Sequence, residues 1–381
     1  MENQGKYKNE EPVFHRAKLG KTETESRISA NNRFNKWNFK PLGFICVLRR
    51  GMKLLEFRKE GIYCSAGDFY IDPMKSVPRA VITHAHSDHA RAGMQSYLTH
   101  TQSKEVLRLR LGKNQAIETI GYNEPVFMGP VKLSLHPSGH LPGASQVRVE
   151  HKGEVWVASG DYKTDDDGLS EHFEPVKCHT FITESTFGLP IFRWRPQEET
   201  GNNILEWWQR NQEYGHASIL FAYSLGKAQR LIHMLHDKGV VAVHQTIFDT
   251  NAALRKDGVA LPDVRSMSTL TAEEWKKALV ISPNVNGIPE NVTCRTANCS
   301  GWMTLSRFRS RGNADAGFVL SDHADWPGLL SAISGTGAEN IIVNHGYTAQ
   351  LSRYLTEKGW NAIPAPDHYG IQNQEILTER G

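Results

Sequence analysis

The 381-residue chain is short of cysteine. Cys46, Cys64, Cys178, Cys294 and Cys299 are odd in number and scattered, which excludes the disulfide framework of a small secreted domain and points to a reducing compartment. Cys294 and Cys299 are spaced too loosely for a metal pair and no second Cys/His pair follows, so they read as small hydrophobes. No apolar run approaches the roughly 18 to 20 residues that span a bilayer, and "LGFICVL" at Leu42–Leu48 is far too short. Its place behind a long polar lead disfavours a secretory signal, so the expectation is a cytoplasmic protein without membrane association. A charge excess is also missing. The 44 Lys and Arg against 41 Asp and Glu give a net charge of +3, which permits a polyanionic partner without arguing for one. There is no internal repeat.

What is present is an ordinary globular composition, 39% hydrophobic and 22% charged, which rules out a fibrous or wholly disordered chain. The length suffices for two compact units, or for one large unit carrying an insertion. Residues 1–51 are rich in Asn, Lys, Glu and Ser without apolar periodicity and read as a disordered extension. Met52 then opens "MKLLEFRKEGIYCSAGDFYIDP", which alternates like paired strands, so translation starting at Met52 is a natural expectation. Strand-like runs follow in "RAVIT", "VKLSLHP", "QVRVEHKGEVWVASGD" and "CHTFITEST", each stopped by Gly, Pro, Asp or Ser. The middle changes character. "TGNNILEWWQRNQEYG" and "LGKAQRLIHMLHDKG" have helical spacing and alternate with strand candidates "ASILFAY" and "KALVIS", which predicts an α/β insertion. Trp207 and Trp208 on the first of these helices are expected to pack in a core.

The densest chemistry lies in "THAHSDHA", which places His84, His86, Asp88 and His89 within six positions just after a strand-like run. In an extended segment His84 and His86 point the same way, which makes half a metal site. Asp88 and His89 follow where the chain turns and can address a second point. A lone His is more often exposed or hydrogen-bonded than ligating, but four such residues in six positions invert those odds. Imidazole and carboxylate suit Zn²⁺, Mn²⁺ or Fe. His140 in "HPSGHLPGAS", Asp161 in "VASGDYK" and His345 in "IIVNHG" each end another strand-like run. A carboxylate such as Asp161 can bridge two cations. Asp72 in "YIDP" suits accepting a hydrogen bond from a ligand imidazole and fixing its tautomer.

Taken in order, "THAHSDHA", "SGH", "SGDYK" and "NHG" resemble the metallo-β-lactamase superfamily, whose fold is an αββα sandwich. "TEST" at Thr183, "SDHAD" at Ser321 and "NHG" at Asn344 resemble its β-CASP nuclease branch. "TESTFGLPIFRWRP", "YSLGKAQRL", "SGWM" and "GFVLSDHADW" are similar to bacterial ligase-associated DNA exonucleases. The resemblance covers essentially everything from Met52 onward. It implies an α/β metallo-β-lactamase domain in two parts, 52–190 and 316–381, with an α/β β-CASP insertion at 191–315. It further implies two divalent metal ions, Zn or Mn, one held by His84, His86 and His140 and the other by Asp88, His89 and His345, with Asp161 bridging. Glu184 and His323 would stand at the scissile phosphate. Phosphodiester hydrolysis needs a nucleophile at neutral pH and relief of negative charge, which a bridging hydroxide and a two-cation clamp provide. His323 is then the candidate general acid, its pKa raised by Glu184, in a step typically worth about 10² to 10⁴ in rate.

Substrate contacts are read from the insertion. Ser224 and Lys227 in "YSLGKAQR" could receive a phosphate at a helix N-terminus, although Ser and Gly there could equally cap and turn. Arg193 and Arg195 in "FRWRP", and Arg309 and Arg311 in "RFRSR", interleave with aromatics as in grooves that grip unpaired strands, or they form a solvated basic surface. The resemblance implies DNA as substrate, in end trimming during repair with an ATP-dependent DNA ligase and a helicase. RNA is the alternative, because RNA-acting β-CASP members commonly carry His where His345 stands. A small-molecule metallo-hydrolase is the reading from another class.

Overall fold

The computed structural model describes residues 53–306 and 314–366; the N-terminal extension, Arg309 and Arg311 lie outside them. The chain first lays down a six-stranded sheet from β1 (Glu56–Arg58), β2 (Gly61–Cys64), β3 (Phe69–Ile71), β4 (Arg79–Val81), β5 (Ser96–His100) and β6 (Ile117–Ile120) in sequence order. The first three strands are antiparallel and the rest are added in parallel, with helix α1 (Lys104–Leu111) crossing over before β6. A second sheet begins as the antiparallel meander β7 (Val126–Met128), β8 (Val131–Pro137), β9 (Ser145–His151) and β10 (Glu154–Ala158), to which β11 (Thr180–Thr183) adds in parallel.

Residues 217–318 build a third sheet. Its strands are β12 (Ala217–Phe221), β13 (Val241–Val243), β14 (Arg265–Ser266), β15 (Leu279–Ser282), β16 (Cys294–Cys299) and β17 (Ala316–Phe318). All its pairings are parallel, in the order β14-β13-β15-β12-β16-β17. The "ASILF" and "LVIS" runs are almost wholly buried because parallel strands are covered on both faces. Helices α2 (Gln197–Glu213), α3 (Lys227–Leu235) and α4 (Gln245–Lys256) bring Ile204, Trp208, Leu231 and Ile247 to one face. Trp208 is buried there as expected, and its indole N–H donates to the Lys277 carbonyl at 2.9 Å. The short helix α5 (Ala272–Trp275) places Trp275 on the other face.

The chain then returns to the second sheet. Helix α6 (Trp326–Thr336) starts where the Asp325 carboxylate accepts the Gly328 N–H at 2.9 Å with Pro327 in the first turn, and ends at a left-handed Gly337. Strands β18 (Asn340–Val343) and β19 (Asn361–Pro364), with α7 (Thr348–Glu357) between them, extend the sheet in parallel beyond β11. Ile62, Phe69, Ile71 and Val81 of the first sheet pack against Leu133, Val147, Val149 and Ile182 of the second. The outer face of the first sheet meets Val106 and Leu107 of α1, and that of the second meets Leu329, Ile333, Leu351 and Leu355 of α6 and α7. This is the αββα layering expected for the α/β fold class. Fully burying each such aliphatic side chain stabilises by about 1.5–3 kcal/mol, enough to hold the loops at the strand ends in fixed positions.

Candidate metal centre

Most of the loops that carry the polar residues follow the carboxyl ends of β4, β10, β11 and β18, where open α/β sheets leave a crevice; His140 instead follows the antiparallel strand β8, and His323 follows β17 of the third sheet. They are tied together by backbone hydrogen bonds, among them Asn344 N–H to the Thr183 carbonyl at 2.7 Å and Tyr347 N–H to the Ser185 carbonyl at 2.9 Å. The turn after β10 needs glycine: Gly160 has φ +56°, and a Cβ there would lie 2.7 Å from the Thr83 side chain. Two site residues themselves adopt the left-handed region, Asp72 at φ 43° and His345 at φ 53°, a conformation that persists only where surrounding contacts enforce it.

Three imidazoles converge. His86 Nδ1 lies 3.1 Å from His84 Nε2 and 3.1 Å from His140 Nε2, and all three rings are largely or wholly buried. Their outer nitrogens meet oxygens: His84 Nδ1 the Thr83 hydroxyl at 3.1 Å, His86 Nε2 the Leu225 carbonyl at 3.1 Å, His140 Nδ1 the Asp322 carbonyl at 2.8 Å. The Thr83 hydroxyl is itself committed to Asp72 Oδ2 at 2.6 Å. Each outer nitrogen therefore carries the proton and each inner one a lone pair. Lone pairs facing one another at this distance repel unless a cation lies between them. A tetrahedral ion with metal–nitrogen bonds of about 2.0–2.1 Å sets its ligands about 3.3 Å apart, close to the spacing found.

A second group adjoins the first. His89 Nδ1 donates to Asp72 Oδ2 at 2.8 Å, which aims Nε2 at Asp161 Oδ2, 3.4 Å away, and Asp88 Oδ2, 3.6 Å away. That nitrogen is buried without a hydrogen-bond partner, an orphaned polar atom of the kind a ligand satisfies. Potential ligand atoms lie within 4.8 Å of one another in three sets: His84, His86, His140 and Asp161; His89, Asp161 and His345; and Asp161, Glu184 and His323. Asp161 belongs to all three. These residues fit two divalent cations sharing one carboxylate.

Electrostatics agrees with the first set of donors. Burial first, then neighbouring imidazoles, pushes His84 well below its ordinary value and His140 down to about 3; burial also lowers His86. All three are neutral at pH 7, the state a cation requires. Burial also opposes charge on His89 and Asp161, but their mutual attraction wins, helped by Asp88 at His89 and by His323 at Asp161, so His89 is held well above and Asp161 well below the ordinary range; a cation at this second point would have to displace the His89 proton. Beside them, Glu184 accepts the Tyr162 N–H at 2.7 Å and the His323 Nδ1–H at 2.8 Å. Burial would depress His323, but the Glu184 and Asp161 charges outweigh it and lift it to about 9. The Trp194 indole N–H donates to the His323 carbonyl at 2.9 Å, and Phe187 packs edge-on to its ring, 6.0 Å between centroids.

The expected substrate contacts fare differently. Lys227 is buried, not presented: its Nζ lies 4.0 Å from Asp322 Oδ2 and 4.8 Å from the centre of the Tyr223 ring. The Gly226 N–H at the start of α3 is taken by Gln229 Oε1 at 2.7 Å, and Gln229 also donates to the Ser224 carbonyl, so Ser224 and Gly226 cap and turn. Arg193 and Arg195 are exposed, the latter 3.5 Å from Glu199. Phe192, just before them, is fully buried against Phe187 and cannot stack a base, while Trp194 between them is half-buried with its indole N–H held by the His323 carbonyl. Sequence reasoning passed over Asp322, the neighbour of His323. It is buried beside Lys227 and Arg230, and its backbone carbonyl fixes His140. The available signal was an acid in "SDHAD" with two cations one helical turn apart in "KAQR".

No established protein-family profile matches the chain. It is 27% identical over 313 residues to a protein of Opitutus terrae named probable DNA ligase, an alignment spanning 79% of this chain and 30% of that one. It is 24% identical over 182 residues to the cleavage and polyadenylation specificity factor 73 of Drosophila melanogaster, 46% of this chain and 26% of that one. It is 24% identical over 200 residues to the RNase aCSPSF2 of Saccharolobus solfataricus, 44% of this chain and 40% of that one. The chain thus spans less than half the length of these curated relatives. A solved structure of a protein of unknown function from Enterococcus faecalis superposes with a TM-score of 0.53 at 13% identity, over 77% of this chain and 80% of that one, a likeness of fold alone.

Proposed function

We propose that this chain, which belongs to the β-CASP branch of the metallo-β-lactamase superfamily, is a two-metal phosphodiesterase that degrades DNA from its ends. The observation that carries this reading is the convergence of three proton-free imidazole nitrogens on Asp161, which also faces His89 and lies beside the His323–Glu184 pair. His84, His86 and His140 would hold one divalent cation, zinc or manganese, and Asp88, His89 and His345 the other, with Asp161 shared. Cations bound there supply Lewis acidity and lower the pKa of water. The chain's own residues do the rest. Glu184 holds His323 by Nδ1 and keeps it protonated at neutral pH, so His323 delivers a proton to the departing oxygen. Asp72, reached by Thr83 and His89, locks the ring that would otherwise swing away from Asp161.

DNA is favoured over RNA because the relative named for DNA ligase aligns with most of this chain, whereas those named for RNA cleavage align with less than half. The same relative, by its name, suggests a DNA ligase as partner. The RNA reading stands second, on the ribonuclease-named relatives and on His345. End-labelled single-stranded DNA and matching RNA, incubated with Mn²⁺ or Zn²⁺ and with Asp161→Ala as blank, test the choice. Preferential shortening of DNA is expected. Preferential shortening of RNA would move the protein to the ribonuclease reading, and silence on both would favour a small-molecule hydrolase.

A further inference from the structure

His86 has two sides. One faces the imidazole cluster. The other helps to line a cleft between α1 and α4 whose walls include Leu109, Arg110, Tyr223, Ser224 and Asp249. Tyr223 and Leu109 leave 47% and 49% of their surface in solvent, large apolar groups that a site built only for phosphate does not need. The Tyr223 ring lies 6.5 Å from the His86 ring, centre to centre, and carries the Lys227 ammonium 4.8 Å from its own centre. Arg110 donates to the Ala85 carbonyl between His84 and His86, so its cation stands where the cleft meets the cluster. Asp249 takes a hydrogen bond from Gln245 on one oxygen at 2.8 Å. Its charge disfavours phosphate within the cleft and favours amino or imino N–H donors.

We infer that this cleft receives an unpaired nucleobase of the strand being cleaved, with Tyr223 as the stacking surface, Leu109 as the apolar wall and Asp249 as an acceptor for base N–H groups. The inference rests on the nuclease reading above and narrows it to strands with an unstacked base, because a paired base cannot leave the duplex without losing its partner. Sugar and phosphate remain outside, toward Arg110 and the cluster. An aromatic face tolerates any base, so the cleft selects for single-strandedness more than for sequence.

The test is binding of a labelled single-stranded oligonucleotide to the full chain by fluorescence anisotropy, with chelator present and salt fixed. A strand of the same length built wholly of abasic sugar-phosphate serves as comparison. Stacking is typically worth about 5- to 150-fold in affinity per base. Tyr223→Ala is expected to weaken base-bearing strand by a factor in that range, Tyr223→Phe to restore it, and abasic strand to bind wild type and Tyr223→Ala alike. Leu109→Ala, on an exposed helix surface, is expected to show the same selective loss on a smaller scale. Equal losses on both strands, or no loss on the base-bearing strand, would overturn the inference. Failure of wild type to bind either strand would instead remove the nuclease reading on which it depends.

Discussion

Removing the Asp322 carboxylate should cost more stability than any contact it makes would suggest. Asp322 is buried with its oxygens 3.5 Å from Arg230 and 4.0 Å from Lys227, themselves almost wholly buried. Each attraction is about 4 kcal/mol at an effective dielectric near 20, while desolvating each ion costs several kcal/mol. The intact triad therefore comes out near neutral against an apolar replacement. Asp322→Ala is different, because it leaves two buried cations without a counter-charge, and about 3–5 kcal/mol of stability should be lost. Equilibrium urea unfolding with chelator present measures this. The triple variant Asp322→Leu/Lys227→Met/Arg230→Met should recover most of the loss. Burial opposes the Asp322 charge, but Lys227 and Arg230 win and hold the carboxyl below its ordinary 3.8. Its contribution is thus complete above pH 3.8 and disappears as pH falls through the lower folded value. A loss below about 1 kcal/mol for Asp322→Ala, or a triple variant no better than the single, would refute this account of the triad.

Asp161→Asn should fold but retain fewer than two metal equivalents by elemental analysis, since Asp161 is common to all three ligand sets; full loading would remove it from the centre. In chelator, His323 should contribute stability that is complete below pH 6.5 and lost as pH rises through about 9, because its folded value is raised. Unfolding from pH 6 to 10 should show that decline, and Glu184→Gln should make it shallower; an unchanged slope would contradict the role given to Glu184. Gly160→Ala should reduce metal affinity by displacing Thr83 and with it His84, since the added methyl would lie 2.7 Å from Thr83; titration with Zn²⁺ would detect the change, and wild-type affinity would contradict it.

The sequence alone determined what is local. Period-two and helical spacing located the strands and helices, and side-chain alternation put His84 and His86 on one side of a segment that ends a strand. The residue types within "THAHSDHA", "SGH", "SGDYK" and "NHG" were enough to propose two cations and a shared carboxylate. Tertiary structure decided whatever depends on partners far away in the chain. His140 is fixed by a carbonyl 182 positions distant and His86 by one 139 positions distant, and those bonds set which nitrogen of each ring faces the cation. Lys227 and Phe192 read from sequence as surface contacts, yet the fold turns one toward Asp322 and the other into an aromatic core. Spacing along a chain fixes the direction of a side chain relative to its own strand or helix. What lies on that side, water or a buried carboxylate, is set by which other segments pack there.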